Sequence, residues 1–513
     1  MDRKVFHEEK LKNSKAQLIK NTVSSVALQA VTIICGFIVP RKILESYGSE
    51  VNGLVNSITQ FLSVISFLEL GVGAVVQTAL YRPLAEHDKV KTSEIVASAT
   101  RFFHRLGRIF LCYIAVLICV YPLLAKQNFG WLFTAMLIIA MSISTTAQYY
   151  FGIVDRLLLS ADQRGYIHYT IQIVTLILNT VACVFLIHVG ASIHFVKLTT
   201  SIIYLTRPLF LRLYINRYYQ INREIQYADE PIQQKWNGIA QHIAAIILDA
   251  TDTIVLTLFS SLVNVSIYSV YHLIINGVKQ LLMSINNGVH SLCGELWAKG
   301  ELEKLRKTFG WYEWTMHTMT TFAFGCTETL ILPFIKVYTG NIIDVEYIQP
   351  LFASLLVSAY AFFSYRNPYA VMILAAGHYK QTQTNYIIAA GMNIVISVAV
   401  VSRWGLVGVA VGTLAAMAYQ TVWMAAYNAR NLLHWPFKNF CRQLAADGLT
   451  VLLAVPICRV LPLSAENYVQ WVMCAIPVAT IWLLCALIVN FFLYREKLLN
   501  LLGKGMCILK LRG

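Results

Sequence analysis

Charge is scarce in this sequence. Asp, Glu, Lys and Arg make up 13% of its 513 residues, about half the share in an ordinary soluble domain. Hydrophobic residues make up 57%, and the mean hydropathy is +0.59. That shortage excludes a water-soluble globular chain. Paired cysteines are also missing: eleven Cys are scattered, mostly in apolar stretches, with no Cys-x-x-Cys spacing for zinc or redox chemistry. The first twenty residues hold Arg3, Lys4, Lys10, Lys12, Lys15 and Lys20 but no apolar core with a small-residue cleavage site. The amino terminus is therefore expected to stay in the cytoplasm.

What is present in abundance is apolar sequence in blocks of roughly 20 residues, each long enough to cross about 30 Å of hydrocarbon. Hydropathy places spans near 20–40, 52–81, 105–125, 129–152, 166–189, 191–214 and 239–260. Seven more follow near 264–292, 314–338, 348–375, 383–401, 405–427, 444–463 and 468–494. The expected fold class is an all-α polytopic membrane protein with about 14 transmembrane helices.

An even number of spans returns both termini to one side. Counted from an inside amino terminus, most of the 41 Lys and Arg fall on the inside segments, as the positive-inside rule requires. The same distribution accounts for the net charge of +15. A nucleic-acid-binding protein would concentrate that charge on one soluble face, so no nucleic-acid partner is expected. Every expected outer loop is short, and a membrane enzyme would ordinarily present its catalytic groups in a long one. No enzymatic activity is expected.

The chain repeats itself. "RGYIHYTIQIVTLILNTVACVFLIHVG" lies on "AGHYKQTQTNYIIAAGMNIVISVAVVSRWG", matching Gly165 with Gly377, Asn179 with Asn393 and Gly190 with Gly405. Thr199 matches Thr413, and Arg217 matches Arg430. "VNGLVNSITQ" from Val51 falls on "VSIYSVYHLI" from Val265 at a similar displacement. Spans 1–6 thus repeat as 7–12 in the same orientation, the parallel repeat of two-lobed transporters. The expected organisation is a cytoplasmic segment 1–19, an N-lobe 20–217, a cytoplasmic linker 218–238, a C-lobe 239–430, spans 13 and 14 within 431–495, and a basic cytoplasmic tail 496–513. Two pseudo-twofold-related six-helix bundles around a central cleft are expected from it.

Polar residues within the spans are few and fall on faces. In span 2, Asn52, Asn56, Thr59, Ser63, Ser66, Glu69, Gly73 and Gln77 follow at steps of three or four. In span 8 the stripe is His272, Asn276, Lys279, Met283, Asn286 with Asn287, and His290. A charge at mid-membrane costs about 2.5–3.5 kcal/mol on insertion scales, so Glu69 and Lys279 need a water-filled cavity or each other. Span 7 adds Asp249 and Asp252 one turn apart, span 1 ends in Pro40, Arg41 and Lys42, and Arg366 interrupts span 10. Small and hydroxyl residues on such faces also serve plain helix packing, Arg41 and Lys42 also fit headgroup snorkelling, and Arg101, Arg105 and Arg108 read as an anionic-lipid anchor.

Four stretches carry a resemblance: "GSEVNGLVNSITQFLSVISFLELGVGAVVQTALYRPLAEHD", "LLSADQRGYI", "SIYSVYHLIINGVKQLLMSINNGVHSLCGELWAKGE" and "RNPYAVMILAAGHYKQTQTNYI". They resemble the polysaccharide transporters of the multidrug/oligosaccharidyl-lipid/polysaccharide exporter superfamily, with the Wzx-type flippases of O-antigen and capsule assembly as the nearest match. The resemblance implies a flippase of the bacterial cytoplasmic membrane. It would move an undecaprenyl-diphosphate-linked oligosaccharide to the outer leaflet by alternating access, in company with bilayer lipids, a polysaccharide polymerase and other assembly proteins. Lys279, Arg41, Lys42 and Arg366 are then candidates for the diphosphate, and Asn52, Asn56, Asn276 and Asn287 for sugar, with Glu69 on the same wall.

No organic cofactor is expected. For a coupling ion, Na+ or H+, the resemblance points to an acid on span 7 with an acid, an amide and a hydroxyl on spans 11 and 12. Asp249 or Asp252, Asn393 and Thr413 are the matching types, although span 11 has no carboxylate. A drug exporter of the same superfamily would ordinarily carry an acid on span 1, and residues 21–44 contain none.

Overall fold

The computed structural model describes residues 3–64, 67–124, 129–227, 229–232, 250–284 and 286–500, with the side chains of residues 3–16, 18, 67–71, 74, 124, 286–288 and 291 left undescribed. The helices are α1 (Arg3–Ser63), α2 (Phe67–Ala85), α3 (Lys89–Leu124), α4 (Trp131–Ala147), α5 (Ile153–Ala161), α6 (Gly165–His188) and α7 (Ile193–Tyr218). After them come α8 (Ala250–Phe259), α9 (Leu262–Met283), α10 (Asn286–Ala298), α11 (Leu302–Tyr338), α12 (Pro350–Ala375), α13 (Tyr379–Trp404), α14 (Leu406–Tyr427), α15 (Lys438–Arg459) and α16 (Tyr468–Leu493). The described secondary structure is all helical. Nine described helical stretches, one of them running from Trp131 through α4 and α5 to Ala161, are long and apolar enough to cross a membrane.

The expected spans lie on these helices where the residues are described, residues 239–249 of span 7 lying outside them, and two spans are shared between helices. Span 2 is divided between α1, which runs to Ser63, and α2, which starts at Phe67, and residues 65–66 lie outside the described residues. Span 8 is likewise α9 and α10, with Ser284 in a turn after Met283. A hydropathy window averages over such a break and cannot register it. Each polar stripe of the sequence reading therefore crosses a change of helix.

By internal packing the chain divides into two units, Met1–Ile246 and Ile247–Gly513. In the first, α1 bends at Gly48, whose φ of 81° and ψ of 175° are open only to a residue without Cβ. Just before the bend, the Tyr47 hydroxyl donates to the Ala191 carbonyl at 2.6 Å. Asn21 grips the start of α6, donating to Gln163 O at 2.7 Å and accepting from Tyr166 N at 2.8 Å. Asp155, 1% exposed, is held by Arg223 at 2.5 Å and by Arg212 at 3.8 Å.

The turns reveal the repeat more sharply than the residue types do. Left-handed φ values occur at His87, Gln163 and Gly190, and again at Gly300, Gly377 and Gly405. The second of each pair stands 213, 214 and 215 places after the first. The partner of Gly377 is thus Gln163, the residue holding the same backbone shape, and not Gly165, which the sequence alignment chose by identity.

In the second unit α11 packs against α12, α15 and α16. Trp482 of α16 lies flat against Gly325, where any Cβ would collide with the indole, and its Nε1 donates to Thr329 Oγ1 at 3.1 Å. Spans 13 and 14 are thereby packed onto the second unit. Many outward side chains are bare hydrophobics, such as Leu452 and Phe492, at 70% and 78% exposure. Lipid is the solvent that such faces suit.

Candidate functional site

The site begins with two glycines in "LVGVAVGT", Leu406 to Thr413. Gly408 and Gly412 lie one turn apart on α14 and face α13. A Cβ on Gly408 would stand 2.9 Å from Val400 C, and one on Gly412 would run into Ser397 Oγ. Without side chains there, the two helices touch backbone to backbone. That approach sets Asn393 and Ser397 of α13 beside Thr413 of α14.

Asp252 of α8 completes the group. Thr413 Oγ1 lies 2.7 and 2.8 Å from its two carboxylate oxygens, Asn393 Nδ2 lies 3.4 Å from Oδ1, and the Tyr268 hydroxyl of α9 donates to Oδ2 at 2.9 Å. Ser397 Oγ sits 3.0 Å from Asn393 Oδ1 and 3.5 Å from Val409 O. Asp252, Asn393, Ser397, Thr413 and Tyr268 are all at most 2% exposed.

Oxygens outnumber protons in this cluster. Thr413 has a single hydroxyl proton within reach of three acceptors, the two Asp252 oxygens and Val409 O at 3.1 Å. Ser397 likewise has one proton for two acceptors. A carboxylate, an amide oxygen, two hydroxyls and a helix carbonyl form the oxygen set that suits a hard monovalent cation or a proton in a membrane protein. Among the described residues no group of three or more His, Cys, Asp or Glu gathers to hold a metal ion.

Cationic side chains stand nearby in the same unit. Lys279 Nζ lies 5.3 Å from the Tyr360 ring and 4.9 Å from the Phe363 ring, and the Arg366 guanidinium lies 4.4 Å from that same Phe363 ring. Arg366 also donates to Gln420 Oε1. Tyr360 faces His272 at 5.6 Å, and His272 stacks on Tyr268 at 5.5 Å. Lys279 and the Asp252 cluster are thus joined through three consecutive ring contacts, Tyr360, His272 and Tyr268.

The other sequence candidates are placed as follows. Arg41 and Lys42 both bond Glu45, each at 2.8 Å, one turn further along α1. Asn52 is 2% exposed, and Asn56 donates to its side-chain oxygen at 3.2 Å. Asn276 is half-buried on α9. Glu69, Asn287 and Asp249 lie outside the described side chains.

Sequence reasoning missed Ser397, Tyr268, Tyr360 and Glu45. Ser397 had a readable signal, since it lies one helical turn after Asn393. It also missed a second buried polar group: His317 Nδ1 lies 2.6 Å from Asp447 Oδ2, and Tyr369 donates to Glu313 at 2.5 Å.

No family model and no curated protein sequence matches the chain. Solved structures do. The lipid II flippase MurJ, in an inward closed conformation, is 12% identical, with a TM-score of 0.71 over 93% of this chain and 99% of that one. An inward-facing multidrug resistance MATE family transporter of the MOP superfamily is 13% identical, with a TM-score of 0.58 over 80% of this chain and 98% of that one. A MOP superfamily transporter from Pyrococcus furiosus, described by a binding pocket of reversed polarity, is 12% identical, with a TM-score of 0.57 over 80% and 95%. At such identities the likeness is one of fold alone, and the chain shares the fold of these solved structures.

Proposed function

We propose that this chain is a flippase that carries undecaprenyl-diphosphate-linked oligosaccharide repeat units from the cytoplasmic to the outer leaflet of a bacterial cytoplasmic membrane, by alternating access. The observation that carries the reading is the pairing of two chemistries within one unit. Lys279 and Arg366 bracket Phe363 with two cations suited to a diphosphate, and the Asp252, Asn393, Ser397 and Thr413 oxygens suit Na+ or H+. The ring series Tyr360, His272 and Tyr268 lies between them. Binding an ion at Asp252 competes for the carboxylate oxygen that accepts from the Tyr268 hydroxyl, and any turn of that ring moves His272 and Tyr360 against Lys279. That is a contiguous physical route for coupling.

The extent of the fold supports a lipid-linked substrate, since the likeness to the lipid II flippase spans 93% of this chain and that to the MATE transporter 80%. In the second unit Asn276, half-buried on α9 with Lys279, offers an amide to sugar. A surface-polysaccharide polymerase is the partner that the exported repeat unit would meet. The second reading, a cation-coupled exporter of small molecules, is favoured by the MATE fold and would use the same ion site.

Purified full-length protein in liposomes separates the two. Under an inward gradient of Na+ or H+, the flippase moves a fluorescent undecaprenyl-diphosphate oligosaccharide between leaflets, and Lys279→Ala slows that movement. Transport of cationic dyes with no movement of the lipid-linked sugar would establish the exporter instead.

A further inference from the structure

Helices α11, α12 and α15 bury two carboxylates and an imidazole that the Asp252 cluster does not use. Glu313, His317 and Asp447 are 5%, 0% and 5% exposed. They are linked in series. Asp447 Oδ2 faces His317 Nδ1 at 2.6 Å, His317 Nε2 stands 3.5 Å from the Tyr369 hydroxyl, and that hydroxyl donates to Glu313 Oε1 at 2.5 Å. At the far end Thr321 donates to Asp447 Oδ1 at 2.7 Å and pairs with the Tyr365 hydroxyl at 2.9 Å.

The near end opens on a cavity of about 540 Å³ lined by Glu313, Gln443, Arg442, Arg495, Lys497 and Trp435. Water fits there, because a space needs only about 10–15 Å³ to hold one molecule. The charged and titratable groups that meet the chain are Glu313 and His317 from α11, Tyr365 and Tyr369 from α12, Asp447 and Arg442 from α15, and Tyr494 and Lys497 beyond α16. Lys497 donates to the Gly310 carbonyl at 2.7 Å, one turn before Glu313.

We propose that Glu313, Tyr369, His317 and Asp447 form a proton-binding relay that loads and unloads through this cavity. A plain structural ion pair would need only His317 and Asp447. The additional carboxylate at the cavity wall, with a tyrosine hydroxyl between it and the ring, supplies an exit. From the imidazolium, Nε2 gives its proton to the Tyr369 oxygen as Tyr369 gives its own to Glu313. The ring is left neutral with its remaining proton on Nδ1 toward Asp447, and Glu313 is left as the neutral acid, from which cavity water takes the proton. Fixed charges in hydrocarbon are costly, and a shared proton lowers that cost in either state. Asp447 comes from α15, so span 13 acquires a role in ion handling, whatever substrate the transporter carries.

Proton counting tests this. Full-length protein in nanodiscs, weakly buffered with a pH-sensitive dye, is stepped from about pH 8 to pH 5, the range in which a histidine titrates. The relay predicts that Glu313→Gln with Asp447→Asn takes up about one proton fewer per molecule than the parent, the difference expected when a binding site is removed. The deficit should persist in an Asp252→Asn background, which separates it from the other cluster. Equal uptake by a folded variant overturns the proposal. Where the double variant fails to fold, the parent is measured with 15N-labelled histidine, and a His317 ring that keeps one protonation state throughout overturns it equally.

Discussion

At Thr413 a single proton decides what the cluster can hold. The hydroxyl lies within 2.8 Å of both Asp252 oxygens, and Val409 O is its third acceptor. Thr413→Val keeps the shape and removes both the donor and the oxygen. A hydrogen bond to a charged group is worth about 1.5–3 kcal/mol, and since 1.4 kcal/mol is about tenfold in affinity, the half-saturating Na+ or H+ concentration for transport should rise roughly tenfold or more. Thr413→Ser, which keeps the oxygen, should stay near the parent. Transport rates measured against ion concentration check this; a Val variant with an unchanged ion requirement removes Asp252 from coupling. Tyr268→Phe, which deletes a donor but no oxygen between helices α13 and α14, should have the smaller effect of the two.

Helices carry the next level of argument, because Thr413 meets Asn393 only where α13 and α14 touch. Gly412→Ala places a methyl group against Ser397 Oγ and within 3.0 Å of Asn393 O. Overpacking of this kind costs about 1–3 kcal/mol, so a lower thermal midpoint and weakened ion dependence should appear together. Gly391→Ala has open space at the same helix pair and should change neither. His272 tests the link between elements: His272→Ala removes the middle of the Tyr360, His272 and Tyr268 series. Coupling between ligand sites is typically worth about 1–3 kcal/mol, or 5–150-fold in affinity. Substrate binding by the His272→Ala protein should therefore lose its dependence on the ion, while each ligand alone still binds. This level also shows what the sequence could convey. Apolar blocks of twenty residues identified the helices, because that signal is local, whereas Asn393 and Thr413 were singled out by the family resemblance. The end of α9 inside span 8 was invisible, since one turn residue, Ser284, barely changes mean hydropathy. Ser397 and Tyr268 were passed over because a hydroxyl in an apolar helix is usually packing. Asp447 and His317 are 130 residues apart, and no window joins them.

For the whole molecule, orientation in the bilayer decides which leaflet supplies the substrate, and the distribution of Lys and Arg makes a definite statement about it. With an inside amino terminus, the segment between spans 12 and 13 faces the cytoplasm and the loop between spans 9 and 10 faces out. Cys441, an exposed thiol at the start of α15, lies in the first of these, and Asn341, exposed after α11, lies in the second. In a background with the other cysteines replaced, a membrane-impermeant maleimide should label Asn341→Cys in intact cells and reach Cys441 only after the membrane is opened. The opposite pattern would invert the molecule and with it the direction proposed for export. The cavity beside Glu313 lies on the same side as Cys441, since Asn439 and Arg442 are part of its lining. The labelling result thus also fixes which compartment the proton relay faces: with the expected pattern the relay loads from the cytoplasm, and acidifying the outside of sealed vesicles with the same orientation should leave its protonation unchanged.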